Sequence, residues 1–176
     1  MGQAAEILEP RIYVACLAAY NSGRLHGAWI DVGDDLEAVL NAVAQMLAAS
    51  PEPMAEEYAI HDFEDFGGVE LSEYTPMAKV VETAAFLRAH GRLGALAAAN
   101  FGGDLEQAGE ALEEGYLGVF ESLADYCQSR TEETIEVPEA LRLYIDYEAM
   151  ARDLELNGEV FTVETGRAEV HVFLSR

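Results

Sequence analysis

The chain is short of cysteine, of basic residues and of long apolar runs, and each shortage removes a class of protein. Its two cysteines, Cys16 and Cys127, stand outside any CxxC or framework pattern. That excludes a disulfide scaffold and points to a reduced, cytoplasmic setting. No run reaches the ~18 apolar residues of a membrane span, and the opening MGQAAEILEP lacks the basic start and apolar core of a secretion signal. A soluble protein with no membrane partner is the reading. Lys and Arg total 10 against 33 Asp plus Glu, a formal net charge of −23 at pH 7. Such a chain repels nucleic acid, phosphate and anionic lipid, and is drawn to a basic protein groove.

What is present argues for a folded protein. Apolar residues make up 51% of the chain, enough to build a core, so this is not an acidic disordered tail. The 176 residues suffice for one ordinary domain or for two or three very small ones.

Residues 11–17 (RIYVACL) are β-branched and aromatic enough for a strand, Asn21-Ser22-Gly23 punctuates it, and residues 25–32 (LHGAWIDV) read as an antiparallel partner. Asp34 or Asp35 caps a helix with Leu36, Val39, Leu40, Val43 and Leu47 along one stripe, and Ser50-Pro51-Glu52-Pro53 ends it. Residues 58–63 read as a third strand. These pieces form an α+β module over residues 1–66, followed by a Gly67-Gly68 joint. Residues 67–114 read as helical: Thr75-Pro76 opens a helix, Gly91 stops it, and further runs cover 92–100 and 104–114. Residues 115–176 return to α+β, with a strand at 116–120, a helix capped by Ser122 over 123–129, helical segments at 138–145 and 147–154, and strands at 159–164 and 168–174. The fold class is therefore α+β, an elongated chain of three small modules (α+β, helical, α+β).

The acids are spread over all three modules rather than gathered in a tail. The candidate partner-binding carboxylates are Asp31, Asp34 and Asp35, then Glu56 and Glu57, Asp62, Glu64 and Asp65, and Glu70 and Glu73. They continue at Glu106, Glu110, Glu113 and Glu114, at Glu132, Glu133, Glu136 and Glu139, and at Asp146, Glu148, Asp153 and Glu155. Glu106, Glu110 and Glu113 or Glu114 fall on one helix face, where like charges oppose folding by a few tenths of a kcal/mol per pair. Something other than stability keeps them. B-DNA carries one charge per ~1.7 Å of axis, so the net charge matches roughly 39 Å of duplex, and about twice that in a dimer. Acidic faces also solubilise proteins, and a salt-adapted surface has a similar composition. Charge alone leaves these readings open.

Other residues favour structure over chemistry. His61-Asp62 resembles a base with its orienting acid, but no nucleophile signature accompanies it. His26, His90, His171 and the cysteines lack zinc spacing, and residues 31–35 lack the ligand order of a calcium loop, so no metal site is expected. Trp29 reads as core, Tyr126, Tyr144 and Tyr147 as core or interface aromatics, and Arg142 and Arg152 as partners for neighbouring acids.

Four stretches resemble the ArdA antirestriction family in wording and in order. They are residues 11–32 (RIYVACLAAYNSGRLHGAWIDV), 56–64 (EEYAIHDFE), 116–126 (YLGVFESLADY) and 137–161 (VPEALRLYIDYEAMARDLELNGEVF). The leader and the alanine-rich, acid-poor residues 80–103 depart from the pattern. The resemblance implies a non-catalytic protein without a cofactor, built as three modules and dimerised through the last one into a curved, DNA-like rod. It implies binding to a type I restriction–modification enzyme in place of DNA, blocking restriction and modification, and carriage on a mobile element. An edge strand bearing Tyr116, Leu117, Val119 and Phe120 is the expected homodimer contact. The alternative is an acidic inhibitor of another DNA-binding protein or of a nuclease.

Overall fold

The computed structural model describes residues 8–175, so most of the leader and Arg176 lie outside the described residues. The fold is α+β, with two three-stranded antiparallel sheets. It divides into two compact units between Leu105 and Glu106.

In the first unit β1 (Arg11–Cys16) is central, with β2 (Gly27–Asp31) on one side and β3 (Tyr58–Glu64) on the other. Strand alternation sends Ile12, Val14 and Ile30 into the core and leaves Arg11, Tyr13, Trp29 and Asp31 on the opposite face. A register shift between Tyr13 and Val14 sets Asp62 opposite Tyr13 and Glu64 opposite Arg11. A five-residue helix, α1 (Leu17–Asn21), follows β1 without a break. The sequence reading passes over it because so short a helix shows no apolar periodicity.

Helix α2 (Leu36–Ala48) begins where the Asp35 carboxylate accepts hydrogen bonds from the Glu37 and Ala38 amides, at 2.9 and 3.4 Å. Such a cap satisfies backbone donors that the first turn leaves open. Its buried stripe is Val39, Val43 and Met46. Leu40, expected on that stripe, is instead 43% exposed. Helix α3 (Met77–Asn100) is broken at Gly91, whose φ of 58° and ψ of −152° are non-helical, at the expected stop. Its buried residues include Val80, Val81, Ala84, Leu87, Gly94, Ala95, Ala97 and Ala98, so the acid-poor stretch is core-forming. Small side chains allow close approach: a Cβ placed on Gly67 would stand 2.4 Å from that of Ala95. Helix α3 falls within the first unit, so this division cuts the chain elsewhere than the segments 1–66, 67–114 and 115–176.

Helix α4 (Leu105–Glu110) runs into a π-helical turn, Ala111–Gly115, and then into β4 (Tyr116–Phe120). Ser122 accepts from the Asp125 amide at 3.1 Å and starts α5 (Leu123–Thr134), longer than the expected 123–129. The expected helical segment at 138–145 is a 3₁₀ helix, Glu139–Tyr144, with no buried residue. Asp146 caps α6 (Tyr147–Leu156) through the Ala149 amide at 2.9 Å. Strands β5 (Val160–Gly166) and β6 (Glu169–Leu174) complete a sheet of order β4-β6-β5. Leu123 and Cys127 of α5, Ala151 of α6, Val160 and Val172 form the core of this unit. On the other face of the sheet Phe161 stacks on Phe173, with ring centroids 4.9 Å apart.

Gly27 is a position where only glycine fits. An added Cβ would meet the Val14 carbonyl oxygen at 2.6 Å and the Tyr13 hydroxyl at 2.7 Å, whereas at Gly33 it would meet nothing within 4 Å. Gly27→Ala is expected to destabilise the protein by about 1–3 kcal/mol through overpacking. Gly33→Ala should stay within roughly 0.5 kcal/mol of the parent. Urea unfolding of the two variants checks both.

Candidate functional site

Every carboxylate singled out in the sequence, from Asp31 to Glu155, is exposed. Asp31 lies on β2, and Asp62 and Glu64 lie on β3. Asp34 and Asp35 lead into α2, Glu56 and Glu57 precede β3, and Asp65, Glu70 and Glu73 follow it. Glu106 and Glu110 are on α4, while Glu113 and Glu114 are in the π-helical turn. That turn, with its i→i+5 hydrogen bonds, winds the backbone more widely than an α-helix. The four acids therefore do not continue one regular α-helical stripe. Glu132 and Glu133 end α5, Glu136 sits in the link and Glu139 in the 3₁₀ helix. Asp146, Glu148, Asp153 and Glu155 surround or ride on α6.

These carboxylates differ in what they already hold. Asp35 and Asp146 are helix caps. Glu64 is paired with Arg11, and Asp34 with Arg88, whose guanidinium also donates to the Val32 carbonyl at 2.7 Å. Asp62 accepts from the Phe63 amide at 2.8 Å, Glu132 from Gln128 at 3.0 Å and Glu155 from Thr162 at 3.2 Å. Exposed ion pairs of the Arg11–Glu64 kind are weak in water and salt, so a partner's cation displaces them at little cost. The hydrogen bond to Glu64 raises the pKa of Arg11 further above its already high value, so the guanidinium keeps its charge.

Sequence reasoning missed the setting of Trp29. Read as core, it is 40% exposed, because it shares a strand face with Asp31 while Ile30 between them turns inward. The Arg11 guanidinium stands 4.8 Å from the centre of its ring, and the Tyr13 ring 5.6 Å away. Asp31, two residues further along β2, is the signal that pointed outward.

Strand β4 lies at the edge of its sheet. Tyr116 and Val119 are exposed, whereas Leu117 and Phe120 pack against the core, Phe120 edge-on to Tyr126 at 5.2 Å. Tyr147 also packs on that core, and Tyr144 is 84% exposed. Arg142 donates to the Val137 carbonyl at 3.4 Å. Across the sheet, the Tyr116 hydroxyl is 2.9 Å from His171 Nδ1 and the Thr165 hydroxyl 2.9 Å from Nε2. Thr165 donates its proton to Glu169 at 3.1 Å, so it accepts from Nε2–H, and Tyr116 donates to Nδ1 of the neutral ring. Burial lowers the His171 pKa below its ordinary 6.5, partly opposed by Glu169, and raises that of Tyr116.

His61 is exposed and meets Tyr20 edge-on at 4.9 Å. Among the described residues no group of three or more His, Cys, Asp or Glu is arranged to hold a metal ion, and no helix is long and apolar enough to cross a membrane.

The described residues thus form an α+β protein whose candidate carboxylates are exposed on both units. A family model for the antirestriction protein ArdA matches residues 12–169, and the chain belongs to the ArdA family. That family comprises inhibitors rather than enzymes, which supports an antirestriction function with a restriction enzyme as the protein partner. No curated protein matches the chain.

The lowered His171 pKa has a stability consequence. As pH falls, the unfolded chain takes up this proton first. The stability due to neutral His171 is therefore full above 6.5 and is lost as pH drops through the depressed folded value. Urea unfolding between pH 5 and 8 should show the parent losing stability relative to His171→Gln as pH falls below 6.5, with the difference flat above it. A difference that is flat throughout contradicts this.

Proposed function

We propose that the chain is a DNA mimic that occupies the DNA-binding groove of type I restriction–modification enzymes. Restriction and modification both begin from bound DNA, so one decoy blocks both. The observation that carries the reading is the exposure of every candidate carboxylate in both units, together with the net charge of −23. The groove's Lys and Arg residues exchange DNA phosphates for these carboxylates, and long-range attraction speeds the encounter. The segments 1–66, 67–114 and 115–176 each contribute carboxylates to the groove. Two copies joined through the β4 edge at Tyr116 and Val119 extend the charged length. No cofactor enters, and the protein acts in the cytoplasm, where incoming DNA meets the enzyme.

Energy shared over many weak contacts makes single neutralisations mild. In displacement of labelled cognate DNA from a purified type I enzyme, Glu148→Gln or Asp153→Asn alone should shift the midpoint less than about threefold. The combined Glu132→Gln, Glu133→Gln, Glu136→Gln and Glu139→Gln variant should shift it by about tenfold or more. Loss of activity from one isolated carboxylate would overturn the distributed reading, and no displacement by the folded parent would overturn the target.

A further inference from the structure

The outer face of the first sheet places aromatic rings beside carboxylates. Its rows run Trp29–Tyr13–Asp62 and Asp31–Arg11–Glu64 across β2, β1 and β3, so two aromatic rings sit among three carboxylates on neighbouring strands about 4.8 Å apart. Gly27 is part of the construction, because a side chain there would strike the Tyr13 hydroxyl and the Val14 carbonyl oxygen. Trp29 stays 40% exposed beside this cradle.

The chain itself shows what the face accepts. The Arg11 guanidinium stands 4.8 Å from the Trp29 ring centre while its Nε donates to Glu64 at 2.7 Å. One planar cation thus meets an aromatic surface and a carboxylate together. That double contact suits arginine, whose flat, weakly hydrated guanidinium stacks and forks, better than lysine, whose compact ammonium stays hydrated. We infer that this face is an arginine-reading patch, and that a partner arginine stacks on Trp29 in place of Arg11 while pairing with Asp31 or Glu64. The inference rests on the decoy reading for the basic nature of the partner, and adds that one contact is selective for side-chain type. Nucleic acid is excluded by the three carboxylates. A second copy is disfavoured because a two-fold contact would set the same acids against themselves.

Trp29 is the sole tryptophan, so its emission reports the patch directly. The full chain is titrated at low salt with labelled deca-arginine and deca-lysine, following peptide anisotropy and Trp29 emission. Deca-arginine is expected to bind more tightly and to change the emission. Trp29→Leu, which keeps every carboxylate, should reduce the arginine-to-lysine affinity ratio about two- to fivefold. Arg11→Gln, which vacates the ring, should raise that ratio. Far-UV circular dichroism checks that Trp29→Leu is folded, and the emission test needs no variant. Binding of both peptides with unmoved emission and an unchanged ratio in Trp29→Leu overturns the patch and leaves the decoy reading standing. Failure of both peptides to bind overturns both. An emission change with protein concentration alone places a second copy on the face and overturns the arginine assignment.

Discussion

Mutual repulsion among 33 acidic side chains, set against 10 Lys and Arg, is the constraint to which the rest of the structure answers. Two unit charges 4 Å apart interact by about 1 kcal/mol in bulk water but by about 4 kcal/mol at an effective dielectric of 20 near a protein surface. The fold keeps the candidate carboxylates exposed, where water and salt screen them. Asp35 and Asp146 go further and turn a negative charge to advantage at the start of a helix, where unpaired amides and the helix dipole favour it. Arg11 and Arg88 neutralise acids close to the first sheet.

Cohesion against that repulsion comes from two small cores. In the first unit the alanine-rich α3 supplies much of the buried surface, which explains physically why residues 80–103 carry so few acids. A carboxylate on that buried surface would lose its hydration without a partner. In the second unit α5 and α6 cover one face of the sheet with Leu123, Cys127 and Ala151. Acids are then confined to the outward turns of the same helices. The charge pattern is in this sense the complement of the core pattern.

Much of this was legible in the sequence, because capping, proline and glycine signals act locally. Asp35, Ser122 and Gly91 mark the boundaries of their helices, and the strands lie within a few residues of where β-branched and aromatic runs place them. Other features escaped, besides the exposed Leu40 and the π-helical turn at Ala111–Gly115. Helix α1 is too short to show a period. The segment at 138–145 has helical composition but buries no side chain, so nothing rewards a full α-helix over the 3₁₀ form. Trp29 reads as core because a strand tryptophan more often packs inward than makes contacts, although Asp31 on the same strand face argues for solvent. Exposure of the carboxylates follows from their charge, whereas the pairing of Arg11 with Glu64 and of Arg88 with Asp34 depends on contacts between residues far apart in the chain.

If carboxylates stand in for phosphates, binding of the chain to its target depends steeply on salt. The affinity of the chain for a purified type I restriction–modification enzyme is measured from 50 to 200 mM salt beside that of cognate DNA. A steep linear fall of log affinity with log salt is expected for both ligands, with the chain losing at least about tenfold over this range. Tight binding by the chain that is indifferent to salt would place the contact on apolar surface and contradict the substitution of carboxylates for phosphates.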